Sequence, residues 1–272
     1  MTRTYMTVVA AGTRIAVRVV LAVLLAAPAA HAQAVRVMTS GGFAQAFLDL
    51  VPEFERATGT QVLVAFGASM GGAPDSIPSR LERGEPVDVV ILAAEALDAL
   101  VVQGKVRAGS RVDLVRSRIG MAVRAGASKP DIGSVEALRQ TLLGASSIAY
   151  SASASGVYLS TELFQRLGIA EQIKAKSKRI ESERVGNVVA RGDAEIGFQQ
   201  VSELLPIPGI DYVGPLPAQV QRVTTFSAGV SVNARASDAA KALIEFLSSP
   251  AAIPTITSAG LEPATASVPR GR

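Results

Sequence analysis

Three segments of this 272-residue chain share one local design. They are Thr39-Ser40-Gly41-Gly42, Gly67-Ala68-Ser69-Met70-Gly71-Gly72, and the run from Ser151 to Gly156. Each follows an apolar run and precedes a helical pattern. At such a junction the first helical turn leaves N–H groups without partners and carries about half a unit of positive charge. Glycine lets the backbone approach a ligand, and serine adds a hydroxyl donor. One such loop is an ordinary capped turn. Three together predict a cradle for a small anion, with Ser40, Gly41, Gly42, Ser69, Met70, Ser153 and Ser155 as candidate contacts. Arg80, one turn into the helix after the second loop, is a candidate carboxylate clamp through its planar fork. A salt bridge to Glu82 or Glu85 is its alternative. Tyr158 offers a hydroxyl just after the third loop, or else packs with Phe164 or Leu159. Gln199 and Gln200 end an apolar strand and can present amides to a cleft, and Glu203 follows as a cap for the next segment.

What is missing narrows the chemistry further. There is no cysteine, and the single histidine is His31, within Ala30-His31-Ala32. That tripeptide follows an apolar run from Val19 to Ala27, itself preceded by Arg3, Arg14 and Arg18. Residues 1–32 therefore read as a cleaved secretory signal peptide, which places the mature protein in the periplasm. A mature chain without His or Cys lacks the usual zinc, copper and iron ligands. It also has no Ser-His-Asp triad and no thiolate nucleophile. No G-x-x-x-x-G-K-[ST] or G-x-G-x-x-G run is present. The sequence predicts neither metal nor cofactor.

The 27 basic and 23 acidic residues become 24 and 23 once the three arginines of residues 1–32 are removed. A balance so near neutral gives no reason to expect nucleic acid as a partner. Beyond the signal no apolar run approaches the ~20 residues of a membrane helix, so the chain is not expected to span a membrane. It is expected to be a monomer.

Around the loops the sequence alternates strands and helices. Val35–Met38, Gln61–Phe66 and Val87–Leu92 read as strands, the last apolar but for Asp88, as in a sheet covered on both faces. A helix presents Phe43, Phe47, Leu50, Val51 and Phe54 on one side before Gly59. Asp75 or Ser76 caps a short helix with Leu81 inward, and Ala94–Gln103 is helical. A second series starts with a strand at Arg118–Arg124. Ser134 then caps a helix, Ser147–Tyr150 is a strand, and the third loop opens a helix ending at Leu167-Gly168. Helix Arg184–Arg191 and strand Glu195–Gln200 follow. Four prolines between Leu204 and Pro217 read as an extended connection, and Arg222–Val232 as a strand returning between lobes. Terminal helices occupy Asp238–Leu247 and Ala251–Ser258. Lys174, Lys176, Lys178 and Arg179 read as a solvated basic face. The order predicts an α/β fold with mainly parallel sheets.

With these elements in place, the chain resembles periplasmic solute-binding proteins of the molybdate-binding type, the bilobal receptors of ABC importers. The residues carrying the likeness are Val35-x-Val37 with the helix ending near Phe54-Glu55, Gly84-x-Pro86-x-Asp88-Val89, Gly192-Asp193-Ala194-Glu195-Ile196-Gly197, and Phe246-Leu247-Ser248-Ser249-Pro250. The resemblance implies a type II periplasmic-binding-protein fold, with two lobes joined by two crossing segments. The expected boundaries are 34–114 with 226–272 for lobe one and 115–225 for lobe two. In that family two serine loops of one lobe, with backbone N–H groups and a tyrosine of the other, hold the oxyanion. Ser69 matches the second serine. The first aligns with Gly42, close to Ser40, and the tyrosine position falls near Gln200. The second loop is longer than in that family and the tyrosine hydroxyl is missing, and an added arginine, Arg80, with amides fits a carboxylate better than a compact tetrahedral oxyanion.

The Thr39–Phe43 loop and Gln199–Leu204 further resemble the branch of this family that includes aconitate isomerase. Two functions are thus implied. One is a receptor clamping a di- or tricarboxylate, or an oxyanion such as molybdate, for an ABC permease that docks near Phe43. The other is cofactor-independent interconversion of cis- and trans-aconitate, an allylic proton shift for which Tyr158 and Glu203 are the candidate acid/base groups.

Overall fold

The computed structural model describes residues 34–264. The signal-peptide reading of residues 1–32 and the end of lobe one beyond residue 264 lie outside them.

The first half runs β1 (Val35–Thr39), α1 (Gly41–Thr58), β2 (Val62–Phe66), α2 (Ile77–Glu82), β3 (Val89–Ala93) and α3 (Ala94–Val102). β4 (Val112–Arg124) leads to α4 (Val135–Gly144), β5 (Ile148–Ser151) and α5 (Ala154–Tyr158). A π-helical turn, Leu159–Leu163, joins α5 to α6 (Phe164–Arg166), followed by α7 (Ala170–Ile173) and β6 (Ser177–Ile180). Then come α8 (Val185–Arg191), β7 (Ile196–Gln200), α9 (Val201–Leu204), β8 (Ile210–Pro215) and β9 (Val223–Val230). The described chain closes with α10 (Ser237–Leu247), α11 (Ile253–Ser258) and β10 (Glu262–Pro263).

The strands are ordered β2-β1-β3-β9-β4-β7-β5-β6. β1 lies parallel to β2 and β3, with Val37 opposite Val64 and Val89. β5 lies parallel to β6 and β7. Between these parallel groups run β4 and β9, antiparallel to each other. β4 pairs with β9 through Arg118 and with β7 from Ile119 onward, so one 13-residue strand carries the chain from one group to the other. This is the bilobal α/β architecture expected from the sequence.

Burial follows the apolar pattern. Phe43, Phe47, Leu50 and Phe54 of α1 pack on Val35, Val37, Val89 and Ile91 of the sheet and on Leu243 and Leu247 of α10. The opposite sheet face meets Ile77, Leu81, Leu97 and Leu100. β3 is thus covered on both sides, which is why its apolar run is unbroken. A second large core joins Ile119, Met121 and Phe198 to Leu138, Leu142, Leu159 and Phe164. Asp88, buried ahead of β3, accepts N–H bonds from Arg36, Arg235 and Ala236 at 2.8, 2.7 and 3.1 Å. Its place in Gly84-x-Pro86-x-Asp88 therefore ties β1 to the approach to α10.

Several expectations change. β4 begins at Val112 rather than Arg118, because its polar first residues pair with β9 instead of ending in a turn. The proline-bearing connection contains β8, which pairs with the edge of β4. β6 occupies part of the basic run, where an edge strand tolerates exposed Lys178 and Arg179. Lys176 turns back to donate to the carbonyls of Leu143 and Ala145 at the end of α4. Phe43 is fully buried in the first core and offers no docking surface. Among the described residues no helix is long and apolar enough to cross a membrane.

Candidate functional site

A cavity of about 370 Å³ opens between the two parallel-strand groups. Its walls are the junctions after β1, β2, β5, β6 and β7, where the carboxyl ends of strands leave space before the next helix. Ser40, Gly41, Gly42, Ser153, Ser155, Gln199, Gln200 and Glu203 all line it. Residues far apart in sequence, from the first and third loops and the Gln199–Glu203 segment, thus meet as expected.

Ser40 occupies the N-cap position of α1, yet its hydroxyl makes no cap bond. The hydroxyl is buried without a partner in the cavity wall. Gln200 is in the same situation. Its Nε2 donates to Thr224 Oγ1 at 3.0 Å, and Oε1 is buried and unpaired. Since a threonine hydroxyl can donate or accept, either end of this amide can face a ligand. Two unsatisfied buried polar groups at one cleft are costly for an empty protein and useful to a polar ligand.

The walls are held together across the cleft by hydrogen bonds. Ser69 N–H donates to Ser153 Oγ at 3.2 Å, Ser182 Oγ to Asp75 Oδ1 at 3.2 Å, and Ser202 Oγ to the Gly42 carbonyl at 2.7 Å.

Glu203 stands at the junction. It lies in α9, a single turn directly after β7, and its remaining surface is in the cavity wall. Its Oε1 accepts from Gln199 Nε2 at 2.8 Å. A Cβ built on Gly41 would come within 2.0 Å of the same oxygen, so only glycine leaves the carboxyl its place against the first turn of α1. Burial pushes the Glu203 carboxyl up to about 7, against the opposing pull of the Arg184 charge and the donors Gln199 and the Gln200 backbone. A carboxyl balanced near neutral pH, inside a cleft, can both take and return a proton.

The structure moves four expected contacts elsewhere. Arg80 donates through Nε to Glu85 Oε2 at 2.8 Å and through Nη1 to the Phe66 carbonyl at 2.9 Å. It braces α2 against the end of β2 and is outside the cavity lining, so it is no clamp for a ligand there. Tyr158 donates its hydroxyl to the Val220 carbonyl at 2.7 Å and packs with Leu159 and Phe164 in the second core. With that proton held by the protein, it is not an acid/base group at the cleft. Met70 packs on the first core. Ser69 is fully buried behind the wall, its Oγ accepting from Ala93 N–H at 3.0 Å.

The arginine that does reach the cavity is Arg184. It lines the cavity, and no carboxylate of the described residues is within ion-pair distance of it, while Glu203 feels its charge. Three more acids line the cleft, each already engaged. Glu181 pairs with Arg179, Glu183 with Arg191, and Asp75 accepts from Ser182. Arg184 was missed because β6 was missed. Once Ser177–Ile180 is a strand, residues 181–184 are another strand-to-helix junction of the kind already recognised. Among the described residues, no group of three His, Cys, Asp or Glu is placed to hold a metal ion.

Comparison with known proteins gives the family and the fold. A family model for bacterial extracellular solute-binding proteins matches residues 35–262. An aconitate isomerase from a Pseudomonas species is 48% identical over 230 residues, covering 85% of this chain and 88% of that protein. The molybdate-binding protein ModA of Azotobacter vinelandii is 27% identical over 246 residues, covering 87% of this chain and 92% of that one. A solved structure of the periplasmic molybdate-binding protein from Azotobacter vinelandii superposes with a TM-score of 0.67 at 23% identity, over 84% of this chain and 98% of that one. The likeness first read from the motifs is thereby borne out, both to the molybdate-binding type and to the branch containing aconitate isomerase.

Proposed function

This chain belongs to the bacterial extracellular solute-binding proteins, and within that family we propose that it is an isomerase of the aconitate type, using Glu203 to move a proton along a bound tricarboxylate. The observation that carries this reading is the half-buried Glu203 carboxyl, which lines the cleft with Arg184 and is pushed up to about 7 by desolvation. A receptor has no need of a carboxyl that holds its proton near neutral pH. An allylic proton shift needs a group that takes and returns a proton, and such a carboxyl can serve. The identity of 48% to an aconitate isomerase supports the same reading.

The chemistry balances without a cofactor. Glu203 as carboxylate takes a proton from the methylene carbon next to the double bond of aconitate. The electron pair left behind spreads over the allyl unit and its carboxylates. Glu203 then returns the proton to the former vinylic carbon, and the double bond forms in the other half of the molecule. No proton or electron is consumed overall. In this reading Arg184 and the first N–H groups of α1, both at the cavity wall, stabilise the charge that builds on a substrate carboxylate. Ser40 and Gln200 are the buried groups available to orient the remaining carboxylates.

The lobe boundaries expected from the sequence, residues 34–114 with 226–272 and residues 115–225, belong to this proposal, with hinge closure excluding water around the substrate. Periplasmic export is part of it as well, in keeping with the family's usual location.

Proton NMR of the mature protein mixed with cis-aconitate, and separately with trans-aconitate, tests the reading. Interconversion in buffer without added metal supports it. A thermal shift with no conversion replaces it with the family's receptor role, delivery of a carboxylate to an ABC permease.

A further inference from the structure

Gln199 was expected to touch the ligand, but both ends of its amide are used inside the protein. Oε1 accepts the Val185 N–H at 2.9 Å, and Nε2 donates to Glu203 Oε1 at 2.8 Å. A backbone N–H can only donate, so Val185 fixes which end of the amide is oxygen. The nitrogen must then face Glu203. Gln199 is itself buried at the end of β7, where its backbone is fixed by pairing with Gly120 of β4. Its side chain thus has one orientation, and that orientation points a donor at the carboxyl.

From this geometry we infer that Gln199 is a positioning residue: it locks the Glu203 carboxylate onto Gly41 and couples it to the start of α8, where Arg184 stands. The inference rests on the isomerase reading for its catalytic meaning. The charged group acting on Glu203 is Arg184, the residue immediately before α8. The other elements around it present groups that do not titrate: Gly41 from α1, Gln199 and Gln200 from β7, and Gly120 of β4, which abuts Val201 in the same turn. One donor at Oε1 therefore has a visible share in setting the proton affinity of the carboxyl. Removing a hydrogen bond to the charged form raises a carboxyl's pKa.

The test is a pair of variants read in two ways. Gln199→Met removes both hydrogen bonds with little change in volume. Gln199→Leu removes the same two bonds with a branched apolar end and places no new charge beside Glu203, so the result does not depend on the fold of one variant. The Glu203 carboxyl is followed by carbon NMR with labelled glutamate, its signal assigned by its disappearance in Glu203→Gln. The acid limb of kcat against pH is measured on the same proteins. The expected result is an upward shift of about one pH unit in both variants, seen in the NMR titration and in the acid limb together. A midpoint and limb that stay at the wild-type pH in either folded variant overturn the inference. Should wild-type protein fail to interconvert aconitate while the NMR midpoint still moves, the hold of Gln199 on Glu203 stands and the isomerase reading falls.

Discussion

The Glu203 carboxyl rests on the bare Cα of Gly41, so closely that a methyl group there would lie 2.0 Å from Oε1. The clash falls on the far end of a flexible side chain rather than on backbone. Gly41→Ala should therefore push the carboxyl aside without unfolding α1. A displacement of about 1 Å in an acid/base group is enough for a loss on the order of 100-fold in kcat. The expected outcome is that loss with a melting temperature within about 2 °C of wild type, measured by NMR turnover and calorimetry on one preparation.

Replacing Glu203 separates catalysis from binding. Glu203→Gln keeps the shape and a polar end but cannot accept the proton, so turnover should fall by at least ~100-fold while aconitate still binds. Stability should respond in a direction set by burial. Because the folded protein raises this carboxyl from 4.5 to about 7, it binds the proton more readily than the unfolded chain between those pH values. Wild-type stability therefore declines as pH rises through that window, and the whole penalty is present above pH 7. The Glu203→Gln protein lacks that slope. It should melt higher than wild type at pH 8, with the difference vanishing toward pH 4.

The two arginines should behave oppositely. Arg184→Ala removes the cation that lines the cleft and should weaken tricarboxylate affinity by roughly 10- to 100-fold, read by calorimetric titration. Arg80→Ala should leave that affinity unchanged. Its cost is structural, about 1 kcal/mol from the lost pairing with Glu85 and the Phe66 carbonyl, discounted because both side chains keep contact with solvent.

Tyr158→Phe provides a negative control at a residue once expected to be catalytic. It leaves the buried Val220 carbonyl without its donor, which costs about 1–2 kcal/mol of stability. Turnover per folded molecule should not change.

Much of this arrangement was legible in the sequence because it is local. Ser40-Gly41-Gly42 and the Ser151–Gly156 run are loops whose residue types announce a helix start, and the apolar run after Asp88 announces a buried strand. Glu203 was found as the residue after a strand end. What escaped was whatever tertiary pairing decides. β6 and β8 are edge strands with polar or proline-rich sequences, and they exist because β5 and β4 offer free edges to pair with. Missing β6 hid Arg184. Arg80 and Tyr158 had the right chemistry and nearby positions, but Glu85 and the Val220 carbonyl, 62 residues from Tyr158, hold them away from the cleft. The use of Gly41 to seat a carboxyl 162 positions later is likewise invisible until the two loops are brought together.

The most direct measurement compares wild-type and Glu203→Gln proteins, each mixed with cis-aconitate at pH 7.5 and followed by proton NMR, with binding checked by calorimetry. The account predicts trans-aconitate from the wild type, none above background from the variant, and heat of binding from both. Equal conversion by the two proteins, or binding by the wild type with no conversion, would contradict it.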